Sequence, residues 1–187
     1  IGVRLVGSEM CIRDRYGTYN NYDIVVARST THDLDSPWEY YVCDASGQYI
    51  WQHTYPTQEE ISRSRIQETD CSMPWVFKKG DSYYMVAQSK WFGHEMYIFR
   101  SDKPYGPFIE RKSLFNIPNT LDKLGPQEYG NLYMVNLHPH LSRNGELVFS
   151  TNNDAKDWGD NFNAVGSADY YRPYFYRVYN WEKVYEE

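Results

Sequence analysis

Ile24-Val25-Val26-Ala27-Arg28-Ser29, followed by Ser36-Pro37-Trp38-Glu39, has a second version further along the chain: Met96-Tyr97-Ile98-Phe99-Arg100-Ser101, followed by Gly106-Pro107-Phe108-Ile109-Glu110. The two Arg-Ser pairs lie 72 residues apart and the two prolines 70 apart. In each version a β-branched or aromatic run ends in Arg-Ser, a turn follows, and a Pro-aromatic pair opens the next run. Short runs of this kind, bounded by turn residues, read as strands.

Working outward, similar runs occupy 22–28, 38–42, 74–78, 82–88, 95–100, 131–136, 145–151 and 172–178. Turn clusters separate them: Asp35-Ser36-Pro37, Lys79-Gly80-Asp81, Asp102-Lys103-Pro104 and Arg143-Asn144-Gly145. One helix is expected, over 57–65, where Thr57 and Glu60 have capping-box spacing. A repeat of about 70 residues with several short strands per unit predicts an all-β propeller, each blade a four-stranded antiparallel sheet. The chain is 18% aromatic, with 19 Tyr and 6 Trp. That suits pleated sheet surfaces and also faces that handle polar, ring-shaped ligands.

The N-terminus stands apart. Arg4-Leu5-Val6-Gly7-Ser8-Glu9-Met10-Cys11-Ile12-Arg13-Asp14-Arg15 looks like a translated sequencing adapter, so residues 1–15 are read as a non-native leader and 16–187 as C-terminal blades of a single propeller domain. Glu9, Arg13 and Asp14 also interrupt any signal-peptide core. Without the leader, 16 basic residues stand against 23 acidic ones, a net charge of −7, and this argues against a nucleic-acid partner. Cys43 and Cys71 remain, read as two buried thiols rather than one bridge. No run approaches the roughly 18 apolar residues of a membrane span.

Several segments then carry a family resemblance. Met73-Pro74-Trp75-Val76-Phe77-Lys78-Lys79-Gly80-Asp81-Ser82-Tyr83-Tyr84-Met85-Val86 resembles the blade-opening stretch of family-43 glycoside hydrolases, and Ile98–Phe108 (through Arg100-Ser101 and Gly106-Pro107) resembles their blade ending. His138-Pro139-His140-Leu141, Leu147-Val148-Phe149-Ser150-Thr151-Asn152-Asn153 and Tyr171-Arg172-Pro173-Tyr174-Phe175 look closer to an uncharacterised bacterial branch of such propellers. The resemblance covers about 22–182. It implies a partial five-bladed β-propeller of two to three blades, acting on an oligosaccharide or polysaccharide without a cofactor. It also implies a secreted, periplasmic or cell-surface location.

The resemblance places a general-acid Glu two residues before the blade-opening proline, but this chain has Ser72 there. A hydroxyl does not protonate a leaving group at neutral pH. Glu68 and Asp70 lie just upstream and, on an extended strand, would share Ser72's side, so they are the catalytic candidates. The alternative is an ordinary solvated pair, which would leave a carbohydrate-binding propeller without catalysis, or a scaffold with no small ligand. The expected substrate-binding residues are His138, Asn152, Asn153, Trp91 and Arg172. Neutral imidazole and amides offer donors and acceptors to sugar hydroxyls. The asparagines would equally suit a strand-ending turn, and Arg172 an ion pair bracing the last strand. His138 and His140 would share a strand face, but no third metal ligand accompanies them, so no metal is expected. Trp75 reads as core and Trp91 as an exposed loop aromatic. Trp158 is another aromatic platform, and Asp154, Asp157 and Asp160 read as a solvated acidic loop.

Overall fold

The computed structural model describes residues 14–19, 22–31, 33, 35–90, 92–118, 129–163 and 165–186. Residues 1–13 and Trp91 fall outside these. Among the described residues eleven strands form three antiparallel sheets. The first has the order β1 (Asp14–Tyr19), β2 (Asp23–Ser29), β3 (Trp38–Cys43), β4 (Tyr49–Gln52). The second runs β5 (Cys71–Lys79), β6 (Ser82–Ser89), β7 (Glu95–Ser101), β8 (Ile109–Asn116). The third has the order β11 (Pro173–Tyr179), β10 (Glu146–Ala155), β9 (Tyr129–Leu137), so the expected four strands per sheet hold for two sheets and the last has three. Asp14 and Arg15 open β1, paired with Arg28 and Ala27.

The short helices are α1 (Gln58–Arg63), α2 (Asp160–Asn163) and α3 (Ser167–Tyr170). α1 starts where the capping box predicts: the Glu60 N–H donates to the Thr57 side chain, and the Thr57 N–H donates to Glu60 Oε2. Among the described residues no helix is long and apolar enough to cross a membrane.

The chain forms two compact units: the described residues up to Met85 with Phe99–Arg111, and Val86–Ile98 with Lys112–Glu187. In the first unit Ile24 and Val26 point from one face of β2 into a core with Tyr41, Val42, Ile66, Val76, Met85, Phe99 and Phe108. In the second, Leu132, Val135 and Leu137 of β9 are buried, as are Leu147, Val148 and Phe149 of β10. Burying each such side chain stabilises the fold by about 1.5–3 kcal/mol.

The internal repeat has a structural meaning. In the first copy Arg28 on β2 pairs with Glu39 on β3 at 2.7 Å; in the second Arg100 on β7 pairs with Glu110 on β8. The arginine of each Arg-Ser therefore reaches the glutamate that follows each Pro-aromatic pair, a cross-strand bridge. The serines are buried in both copies, and each bonds the turn that follows: Ser29 Oγ donates to the Thr31 carbonyl, and Ser101 Oγ accepts from the Lys103 N–H. The repeat thus matches β2–β3 with β7–β8. β5 and β9 match in another way: each carries a methionine at positive φ, Met73 (54°) and Met134 (56°), preceded two positions back by a fully buried residue, Cys71 and Leu132. Cys43 and Cys71 are buried free thiols, and burial pushes the Cys71 thiol up to about 12.

Candidate functional site

The face of the third sheet built by β9 and β10 carries a group of polar and aromatic side chains. Asn152 pairs in register with Tyr133, and Asp154 with Asn131. Strand alternation puts Asn152 and Asp154 on one face and Asn153 on the other, beside Leu132. Asn152 is half-buried and hydrogen-bonds the Tyr133 phenol, which bonds in turn to the phenol of Tyr171. The Tyr133 and Tyr171 rings stack with 10° between their planes; Phe92 packs edge-on against Tyr133, and Trp158 edge-on against Tyr171. Burial, followed by the bond to Tyr171, pushes the Tyr133 phenol well above its ordinary range. The Tyr133 phenol is therefore neutral at physiological pH.

Asp154 is not part of a solvated acidic loop. It is 5% exposed, inside β10, because that strand runs on to Ala155. Burial raises its carboxyl above the ordinary carboxylate range, against the lowering effect of Asn161. Asn161 works as a latch. Its Nδ2 donates to Asp154 and to the Trp158 carbonyl at 3.2 Å, and its Oδ1 accepts the buried Ala155 N–H at 2.9 Å. These bonds fix the loop that presents Trp158 and Phe162, two large aromatics 57% and 64% exposed and packed edge-on at 5.4 Å.

His138 does not sit on a strand with His140, because β9 ends at Leu137 and Pro139–Leu141 forms a 3-10 turn. Proline pre-sets that turn, so the alternation that put the two histidines on one face does not apply. Their rings still meet edge-on at 5.8 Å, and Phe175 lies 5.3 Å from His138. His138 Nε2 bonds Ser150 Oγ at 2.8 Å, and burial, then the His140 charge, lowers its pKa. Ser150 shares a strand face with Asn152 two residues on, an offset of about 7 Å. His138 is thus held at Ser150, two residues along β10 from Asn152, with a register shift of β9 against β10 between the two positions. Asn153 is fully buried on the opposite face, and neither asparagine ends a strand.

Glu68 and Asp70 belong to the first unit. β5 begins at Cys71, so the strand alternation linking both carboxylates to Ser72 does not extend back to them. Both are exposed. Glu68 Oε1 accepts the Arg111 N–H at 2.7 Å, while Asp70 pairs with Arg65 at 3.3 Å, which also reaches Asp23 at 3.4 Å. Ser72 is fully buried. Arg172 is exposed, lies just before β11 and holds its guanidinium 5.4 Å from the Tyr174 ring. Trp75 is half-buried rather than core. Trp91 lies outside the described residues. Among these, no group of three or more His, Cys, Asp or Glu is placed to hold a metal.

Tyr133, Tyr171 and the Asp154–Asn161 latch escape sequence reasoning. The one signal available for Tyr133 is positional: Leu132-Tyr133-Met134 repeats Cys71-Ser72-Met73, so Tyr133 occupies on β9 the place Ser72 occupies on β5. A cavity of about 260 Å³ in the first unit is walled partly by Tyr16, Tyr40, Tyr41 and Tyr55 and is mainly apolar.

Comparison with known proteins adds four findings. No curated protein matches this chain. A crystal structure of a "putative hydrolase" from Bacteroides ovatus ATCC 8483 is 56% identical, with a TM-score of 0.84 over 93% of this chain; the chain spans 43% of that protein's length. A xylan β-1,4-xylosidase from Bacillus halodurans C-125 is 14% identical over 76% of this chain and 34% of its own, and its TM-score of 0.30 carries no argument. The family model described as "Domain of unknown function (DUF5005)" matches residues 13–181, and with nearly the whole chain matched, this protein belongs to the DUF5005 family.

Proposed function

We propose that this chain contributes blades to a five-bladed β-propeller that binds polymeric carbohydrate and, in the manner of a hydrolase, acts on a glycosidic bond near the propeller axis. The observation that carries this reading is the polar face of the third sheet. Asn152 and Tyr133 stand on neighbouring strands, Tyr171 bonds Tyr133 from the segment before β11, His138 bonds Ser150 from just past β9, and exposed aromatics belong to the same unit. Sugars combine hydroxyls with apolar ring faces, and this mixture of groups complements both. The two ion-paired strand repeats support the propeller, since each marks the same place in successive sheets. Similarity to a protein titled a hydrolase supports the reaction class.

On this reading His138, Asn152, Asn153, Trp91 and Arg172 are the proposed substrate-binding residues. Glu68 and Asp70 supply carboxylates, and the protein works secreted, periplasmic or at the cell surface. Two observations favour a binding propeller without catalysis: Ser72 is buried where the acid would stand, and Asp70 is paired with Arg65. The test is the intact protein against soluble xylan, arabinan, mannan and β-glucan, scored for binding and for reducing-sugar release. Release that Asp70→Asn or Glu68→Gln abolishes while binding persists would establish hydrolysis through that carboxylate. Binding with no release leaves the second reading. Failure to bind any of the four would refute both.

A further inference from the structure

We infer that the cavity between the first sheet and α1 is a binding site for a small phenol, a single aromatic ring with one hydroxyl. The site lies in the first unit and does not depend on the carbohydrate reading above.

The cavity is assembled by strand register. Val26 and Tyr41 pair across β2 and β3 and are buried in the core. Alternation turns their neighbours to the opposite face: Val25 and Ala27 on β2, Tyr40 opposite Ala27 on β3, and Gly17 opposite Val25 on β1. α1 packs on β3, and Ile61 with the preceding Tyr55 closes over this face, leaving a space of about 260 Å³. The cover is tied down on both sides of Tyr55. Gln52 Nε2 donates to the Thr54 carbonyl at 3.0 Å, and the Thr57–Glu60 capping box fixes the start of α1. A site formed in advance costs a ligand little ordering on binding.

Gly17 is a second and independent sign of an occupant. It stands within β1, where a glycine weakens the strand. Neither usual reason for a glycine applies. Its φ is not in the left-handed region, and a Cβ there would meet no described atom within 4 Å. The fold does not require the residue to be small, yet Gly17 and Ala27 leave the floor of the cavity without bulk. A strand glycine of this kind marks the close approach of a ligand.

The lining selects the ligand. It is mainly apolar, and the Ser64 hydroxyl within it is engaged in both directions: it accepts the Cys43 N–H at 2.8 Å and donates to the Glu60 carbonyl. A buried hydroxyl without a partner is costly, so a flat ring with bare faces suits this space better than a sugar. Tyr40 and Tyr55 already pack edge to face, with centroids 5.2 Å apart and planes at 77°. A third ring extends that arrangement, because aromatic rings prefer edge-on and offset contacts. Tyr55 is 71% exposed, so its ring stands at the mouth, where the ligand hydroxyl meets water. An apolar cavity of about 150 Å³ holds benzene. The larger space here takes one ring with a small substituent.

The experiment titrates the intact protein with para-cresol, followed by calorimetry and by the amide shifts of Gly17 and Ala27. Cyclohexanol and methyl β-xyloside are the controls, one ring without aromaticity and one sugar. A dissociation constant of about 1 mM or tighter is expected for para-cresol, and binding about tenfold weaker for both controls. Gly17→Val fills the floor with a residue that strands favour. It should weaken para-cresol binding about tenfold while keeping or raising the melting temperature. Tyr55→Ala removes one exposed wall and should weaken binding about threefold without unfolding the protein. No binding of para-cresol by wild type, or binding that a folded Gly17→Val leaves unchanged, would overturn the site. If Gly17→Val unfolds, Tyr55→Ala decides by the same criterion. Cyclohexanol or the xyloside binding as tightly as para-cresol would overturn the assignment of a phenol.

Discussion

Asn161→Ala removes the whole side chain of the latch, and its cost follows from the groups left behind. The Ala155 N–H, on a residue 1% exposed, loses its acceptor, and an unmatched buried donor costs about 1–3 kcal/mol. Asp154, 5% exposed, loses its donor, and a hydrogen bond to a carboxylate contributes about 1.5–3 kcal/mol. The Trp158 carbonyl lies on an exposed loop, where water replaces the third bond at little cost. Together they come to about 2.5–6 kcal/mol, or a fall of about 5–24 °C in melting temperature for a domain of this size. The penalty should also depend on pH. Burial raises Asp154, so the folded protein keeps that proton to higher pH than the unfolded chain does. Its stabilising contribution is therefore complete below the ordinary value of 3.8 and is lost as pH rises through the raised folded value. Asn161 lowers that value, so removing it steepens the loss, and the penalty is larger at neutral pH than at mildly acidic pH. Urea denaturation at both pH values, with hydrogen exchange at the Ala155 amide, measures this. A variant within about 1 kcal/mol of wild type, or an Ala155 amide equally protected in both, would refute the latch.

Two further expectations follow from other buried polar groups. His138 is lowered by burial and by the His140 charge, so its contribution is present above the ordinary 6.5 and lost as pH falls through the lowered folded value. His138→Gln should therefore flatten the decline in melting temperature between neutral pH and about pH 5, and an unchanged decline would place the titrating group elsewhere. Gln67 is 4% exposed and stands in for a missing strand partner: its Oε1 accepts the Ile24 N–H at 3.1 Å and its Nε2 donates to the Tyr22 carbonyl at 2.6 Å. Gln67→Met keeps the shape but strands the Ile24 N–H, while the Tyr22 carbonyl retains the Cys71 N–H at 3.5 Å. A loss of about 1–3 kcal/mol in urea unfolding is expected, and an unchanged midpoint would show that the amide does not support β2.

The sequence by itself determined the all-β class, most strand positions, the turns between them and the capped helix at Gln58–Arg63. These signals are local: an apolar run, a turn cluster or a Thr-x-x-Glu cap acts within a few residues. The repeat was legible for the same reason, and its Arg–Glu bridges turned out to be the cross-strand contact each copy encodes. β4 and β8 left no comparable signal; β8 is polar along most of its length, Glu110-Arg111-Lys112-Ser113, and is a strand only because β7 pairs with it. The site was decided by tertiary structure. Where a strand stops depends on its hydrogen-bond partners, and that alone removed the shared face assumed for His138 with His140 and for Glu68 and Asp70 with Ser72. Asp154 is buried because β10 continues through it, and Tyr133 meets Tyr171 across 38 residues of sequence. Residue type and spacing announce neither contact, because both arise when distant segments close over one face of a sheet and exclude water from it.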